Sequence, residues 1–277
     1  MREITGSHVL KISGLCKSFG GLNVLSDFEL EIPHSEDMAV AMLGQNGAGK
    51  TTLVNLITRI LSVDAGAIEV YGNDVLSLPA RALAPMGIGR TFQSPRLLLD
   101  DTVLDNVLLG AVAAGTWRGQ VRRALLADAG EVLESVGLAA QAGRTIRSLP
   151  FGSRKLVEVA RVLIGRPRIL LLDEPAAGLS QVEEEHLADV LLQLRRSGMT
   201  LLLIEHRMML VKAVAQRVVM MASGKIVFDG TVSEALASSV VKEGYLGSQV
   251  AGLEPGVGFG GRGSCSIRSE GENASRR

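Results

Sequence analysis

The sequence predicts an α/β protein, a mostly parallel sheet covered by helices, with antiparallel strands beside it and a helical lobe inserted part-way along the chain. Three observations predict it. Short apolar runs alternate with helical patterns along most of the chain; a Gly-rich segment joins one such run to a helix; and residues 95–164 carry helical periodicity without a convincing strand. With 277 residues, 47% hydrophobic and 21% charged, the chain can bury a core sized for one large domain with an insert.

Taken in order, residues 9–12 and 28–32 alternate in polarity and read as antiparallel strands; residues 226–229 repeat the pattern towards the other end. Residues 38–42, 88–91, 169–172, 200–204 and 218–221 are short apolar runs bounded by polar or turn residues. That pattern suits strands covered on both faces. Helices are expected over residues 50–59, 154–164 and 182–196, where apolar residues recur at three- and four-residue steps. Inside the lobe, residues 103–113 and 118–136 also read as helical. From residue 252 onward the chain is rich in Gly, Ser and charge and lacks periodicity, so it cannot offset chain entropy by burial and is expected to be disordered.

Composition narrows the function classes. Twenty-nine Lys and Arg balance twenty-nine Asp and Glu, so no strong net field points to nucleic acid or acidic lipid. Aromatics at 3% argue against stacking platforms for single strands, and no nucleic-acid partner is expected. The two cysteines, Cys16 and Cys265, are far apart, which favours a reducing compartment over a disulfide framework. No apolar run approaches the roughly 18–20 residues that span a bilayer, and the first residues lack an apolar signal core. A cytoplasmic location is expected, unless a partner holds the chain at a membrane.

The segment Gly44-Gln-Asn46-Gly47-Ala48-Gly49-Lys50-Thr51 fits G-x-x-x-x-G-K-[ST] and lies between an apolar strand and a helical pattern. Glycines let the backbone curl so that successive N–H groups face phosphate oxygens. Lys50 would supply charge to the β and γ phosphates, Thr51 a hydroxyl ligand for Mg2+, and the helix its positive dipole end. An ordinary Gly-rich turn would not match eight positions in that context. Downstream, an apolar strand ends in Asp173-Glu174. Successive strand side chains point to opposite sides, so two acids at one edge can take separate tasks: Asp173 towards Mg2+, Glu174 as the base that orients and deprotonates water. Alone, the pair reads equally well as a polar turn; the phosphate loop upstream tips the balance.

In order, the chain shows GQNGAGKTT, RTFQ, LPFGSRKLVEVAR, ILLLDEPAAGLS and LLLIEHRM. This series resembles the ATP-binding subunits of ABC transporters, across roughly residues 9–247. GIGRTFQSPRL and the closing KEGYLG make it most similar to the ATPases of branched-chain amino acid importers. Lipopolysaccharide-exporting ATPases share much of the pattern but usually depart at the glutamine segment. The resemblance implies the P-loop NTPase fold of ABC ATPases: residues 1–94 as the first part of the core with an antiparallel β subdomain, 95–164 as the helical subdomain, 165–247 as the rest of the core, and 248–277 as a disordered tail.

It also assigns roles. Gln93 corresponds to the glutamine that touches Mg2+ and the attacking water and senses the membrane subunits; a lone loop Gln is usually only polar surface, and its place in RTFQ decides otherwise. His206 corresponds to the histidine at the γ-phosphate, and Phe19 to the aromatic that stacks on adenine. Thr52 follows Thr51 in the nucleotide-holding series. Leu149, Pro150, Gly152 and Ser153 belong to the signature segment offered to ATP on a second ATPase subunit, identical or paralogous. The implied ligands are ATP and Mg2+. The implied partners are transmembrane permease subunits at the cytoplasmic face of the inner membrane and, indirectly, a solute-binding protein outside it.

The chain departs from the family pattern in several places. Pro150 stands where a serine hydroxyl commonly bonds the γ-phosphate; proline suits a first helical turn, so the helix survives and its amides, including that of Gly152, could still receive phosphate. Ser180 replaces the usual Asp or Asn, Gln45 the usual Pro, and Arg207 an acid that often follows the histidine. Residues 34–37 replace a tight turn and read as a longer surface loop. Two other readings compete: a soluble ABC-type ATPase, which would carry a long coiled-coil insert or a second phosphate loop, and a module that holds ATP without hydrolysing it. Gln93, Glu174 and His206 together argue against the latter.

Overall fold

The computed structural model describes residues 7–117 and 122–243. Strands β1 (His8–Phe19) and β2 (Leu22–Pro33) form an antiparallel pair. β3 (Ala39–Gly44) leads into α1 (Lys50–Ile57), and β4 (Ala65–Val70) and β5 (Asn73–Asp74) return to the first sheet. Between β6 (Ile88–Arg90) and β7 (Ile169–Asp173) lie three helices, α2 (Val103–Ala114), α3 (Arg122–Ser135) and α4 (Phe151–Leu163). The chain continues through α5 (Gln181–Arg196), β8 (Thr200–Ile204), α6 (Met208–Val214), β9 (Arg217–Ala222), β10 (Lys225–Thr231) and α7 (Val232–Ala237).

Two sheets result. One is antiparallel, in the order β2-β1-β4-β5; the other runs β10-β9-β3-β8-β7-β6. In the second, every neighbouring pair is parallel except β10 with β9. Its central strands are apolar throughout because both faces are covered. Leu170, Leu172, Leu201 and Leu203 pack into a core with α2, α3, α4 and α5. Their alternates Ile169, Leu171, Leu202 and Ile204 pack into a second core with α1 and the antiparallel sheet. Strand alternation thus assigns one residue set to each layer.

Local chemistry sets the helix starts. Thr102, Ser180 and Thr231 each cap a helix whose third residue is acidic (Asp105, Glu183, Glu234), closing reciprocal capping boxes. α5 also places Glu183 and Glu184 in its first turn and Arg195 and Arg196 in its last, complementing its dipole.

Several elements differ from the sequence expectations. β1 and β2 run twelve residues each. A register shift between Ile12 and Leu15 reverses the inward parity of β1, so the alternation breaks just where the sequence pattern faded. β4 was not expected because only Ile68 and Val70 of its six residues are buried. α6 and α7, of seven and six residues, are too short for a clear period. α4 begins at Phe151, three residues earlier than its apolar pattern, because Pro150 accepts the position before the first turn. Residues 34–37 form an irregular, largely exposed loop. The expected disordered tail, the KEGYLG segment past residue 243 and residues 118–121 of the expected lobe helix lie outside the described residues. No helix of the described residues is long and apolar enough to cross a membrane.

Candidate functional site

The phosphate loop is a steric construction. Gly44 ends β3 with φ 146°, and a Cβ there would collide with the carbonyl oxygen of Met221. Gly49 adopts φ 101° at the head of α1, where a Cβ would press on Leu25 and the Val24 carbonyl. Only glycine fits both positions. No side chain caps α1, so its first N–H groups are left to a ligand. Asn46, Gly47 and Ala48 line a cavity of about 420 Å³ beside β9. Thr51 and Thr52 open α1 on its accessible side.

Lys50 is buried and folds back onto its own loop, donating to the carbonyls of Gly44 at 2.6 Å and Gln45 at 3.0 Å. Burial pushes its ammonium below the ordinary lysine range, and the charges of Glu174 and Asp173 oppose that shift.

The carboxyl ends of three adjacent parallel strands, β3, β8 and β7, lie level with one another, and β7 supplies Asp173 and, directly after it, Glu174. Register pairs Met42 of β3 with Ile204 of β8, and Ile204 with Asp173 of β7. Such an edge is where open α/β sheets bind ligands. Thr51 Oγ1 donates to Asp173 Oδ1 at 3.4 Å, so a hydroxyl and a carboxylate converge. Asp173 is only 3% exposed, and burial pushes its pKa up; the nearby Arg90 guanidinium, 3.4 Å from Oδ2, pulls it back. Gln93 Nε2 donates to Glu174 Oε2 at 2.6 Å. Glu174 itself sits at φ 47°, an uncommon conformation for a non-glycine residue and one held by its N–H bond to Ile204 O. His206 follows β8 on the surface, its amide bonded to the buried Glu205 carboxylate at 2.8 Å.

Phe19 closes β1 at 44% exposure, with Lys17 Nζ 5.2 Å from the ring centroid. It is thus a surface ring rather than a core one. Pro150, Gly152 and Ser153 line a cavity of about 260 Å³ shared with Leu179, Glu183 and His186, and Leu149 is buried behind them. Among the described residues, Leu149–Ser153 share no hydrogen bond with Lys50, Thr51, Asp173 or His206. The head of α4 has no side-chain cap. Instead the Glu183 carboxylate lies against Gly152, and the Ser180 amide and hydroxyl, with a smaller part from the Gly152 amide, hold it below the usual carboxylate range. The head of α4, whose amides including that of Gly152 could receive phosphate, thus has a carboxylate of its own chain beside it.

The structure gives contacts to two residues that lie inside the motifs but received no role from them. Arg90 donates to Asn55 and Thr58 as well as reaching Asp173. Lys155, only 3% exposed, donates to the carbonyls of Gln93 and Glu174 and so joins α4 to the glutamine–glutamate pair. Burial lowers its pKa, against the charges of Glu158, Glu205, Glu174 and Asp173. A lysine inside the apolar stripe of Gly152, Leu156, Val159 and Leu163 was the available signal.

The donor set suits Mg2+. Thr51, Asp173 and Gln93 offer oxygen ligands, and Mg2+ is ordinarily held by one or two protein groups together with phosphates. No cluster of three His, Cys, Asp or Glu that could hold a metal occurs among the described residues.

Comparison with known proteins yields a consistent set. The family model described as ABC transporter matches residues 25–177. The high-affinity branched-chain amino acid transport ATP-binding protein BraF of Pseudomonas aeruginosa is 35% identical over 252 residues, covering 86% of this chain and 98% of that protein. LivG of Escherichia coli K12, named for the same transport, is 35% identical over 251 residues, again covering 86% and 98%. Among solved structures, the ADP conformation of MJ1267, an ATP-binding cassette of an ABC transporter, superposes with a TM-score of 0.78 at 29% identity, covering 87% of this chain and all of that one.

Proposed function

This chain belongs to the ABC transporter family, as an ATP-hydrolysing subunit, and from that premise we propose that it energises import of branched-chain amino acids or a related small organic solute. It does so through permease subunits at the cytoplasmic face of the membrane, working as one of a pair of ATPase subunits. The observation that carries the hydrolytic half is the 2.6 Å bond between Gln93 and Glu174, set beside the Thr51–Asp173 contact at one sheet edge. The relatives named for branched-chain amino acid transport, which this chain matches along nearly their whole length, support the solute class.

ATP enters with its phosphates along the amides of residues 44–51, and Lys50 exchanges the Gly44 and Gln45 carbonyls for phosphate oxygens. The adenine stacks on Phe19. Thr51, Asp173 and Gln93 would hold Mg2+, which when bound would offset the charge of the phosphates. Gln93 positions the attacking water, and Glu174 takes its proton as the new P–O bond forms and ADP departs. His206 contacts the γ-phosphate from the end of β8. The head of α4, with Leu149, Pro150, Gly152 and Ser153, meets ATP held by the second subunit once Glu183 yields its place. Lys155 then links that head to the chain's own Gln93 and Glu174.

The test is reconstitution with candidate permease subunits from the same organism, in vesicles containing a matching solute-binding protein. Phosphate release should rise several-fold when leucine is supplied and stay at the basal rate with ribose. Stimulation by ribose but not by leucine would remove the solute assignment and leave the ATPase reading intact.

A further inference from the structure

Arg207, standing where the family pattern often has an acid, has a defined structural task. Its Nη1 donates to two backbone carbonyls of the segment between Glu174 and α5, Ala176 at 3.2 Å and Leu179 at 2.9 Å. Its Nη2 lies 2.7 Å from Glu184 Oε2, a carboxylate only 2% exposed. The other oxygen of Glu184 has no hydrogen-bond partner among the described residues, so Arg207 is its compensating charge. A second tie runs through Glu205, fully buried, which accepts from Ala176 N at 2.9 Å, His206 N at 2.8 Å and Arg207 N at 3.0 Å.

The segment therefore hangs on residues 205–207 by both an N–H and two carbonyls. It begins at Glu174 in a left-handed conformation and includes Gly178 at φ 80°. Uncommon conformations persist when their surroundings over-determine them. None of these contacts reaches Lys50 or Thr51.

We infer that Arg207 is a positioning residue that fixes the Glu174–Ser180 segment against the His206 turn and thereby sets the turnover rate without setting nucleotide affinity. This rests on the ATPase reading of the site. An alanine at 207 alone would strand the buried Glu184 charge and could simply unfold the protein. Arg207→Ala combined with Glu184→Gln removes that charge, while Glu184→Gln alone retains both carbonyl bonds.

The experiment compares the full-length parent, E184Q, R207K and R207A/E184Q. Readouts are steady-state phosphate release against ATP concentration, Tm, and amide hydrogen exchange over residues 175–180 without nucleotide. For R207A/E184Q we expect kcat to fall about ten- to a hundredfold, as small misplacements of a reacting group do. KM for ATP should stay within about twofold of the parent, and residues 175–180 should exchange faster. E184Q should keep most of the parental kcat, and R207K should recover part of it. Parental kcat and parental exchange in R207A/E184Q would overturn the inference, as would a lowered Tm without either change. If the parent releases no phosphate, the ATPase reading fails, and the exchange of residues 175–180 still decides whether Arg207 holds the segment.

Discussion

Gly110 sits in the middle of α2, where glycine is about 1 kcal/mol worse than alanine. Its presence has a packing cause. A Cβ at Gly110 would lie inside the carbonyl oxygen of Arg161 on α4, with Ile164 Cγ2 only 2.8 Å away. The blocking atom is backbone, so no rotamer change relieves it; α2 must back away from the helix that carries Leu149–Ser153 and Lys155. Overpacking of this kind costs about 1–3 kcal/mol and sometimes more, and the retreat loosens the shared core around Val107, Ala111, Val157 and Ala160. Setting about 3–4 kcal/mol against the propensity gain leaves a net loss of about 2–3 kcal/mol for Gly110→Ala. For a chain of this size that lowers Tm by roughly 4–12 °C. Gly130 on α3 is the matched control: a Cβ there meets nothing within 4 Å, so Gly130→Ala should leave Tm unchanged or raise it slightly. The assay is thermal unfolding of both variants beside the parent. A G110A protein as stable as the parent would refute the close-crossing argument.

Two further predictions probe other parts. Phe19→Ala should weaken ATP binding by about five- to 150-fold, since stacking on an aromatic is worth roughly 1–3 kcal/mol per base; a nucleotide titration checks it, and unchanged affinity would remove the adenine assignment. Asp64 has its pKa lowered to about 2 by hydrogen bonds from the Lys17 side chain and the Ser18 amide and hydroxyl. Because the folded form binds that proton more weakly than the unfolded chain, its stabilisation is complete above the ordinary value of 3.8 and disappears as pH falls from there towards 2. In denaturant melts across that window, Asp64→Asn should flatten the acid limb of stability.

Much of the site was legible because its parts are local. Gly44–Thr51 is one contiguous motif between a strand and a helix, and Asp173-Glu174 directly follows the apolar run of residues 169–172. Strands β3, β7, β8 and β9 were legible for the same reason, each being an apolar run buried on both faces. What escaped depends on partners distant in sequence. Arg90 reaching Asp173, Lys155 reaching the Gln93 and Glu174 carbonyls, and Arg207 reaching Glu184 are pairings that only the sheet order and the packing of α4 and α5 against the sheet create. Lys155 stands inside the apolar stripe of α4, which marks it for burial but not for the carbonyls it reaches. Likewise the Glu183 carboxylate beside Gly152 depends on α5 starting next to the head of α4, which no periodicity specifies.

The central claim is that Glu174, held by Gln93, is the base for ATP hydrolysis at the loop formed by residues 44–51. Steady-state phosphate release from the parent and from Glu174→Gln, measured side by side with ATP and Mg2+ saturating, tests it most directly. The account predicts turnover by the parent and a loss of at least about a hundredfold in the variant, the contribution expected of a general base, with nucleotide binding retained. A Glu174→Gln protein that releases phosphate at the parental rate would contradict it.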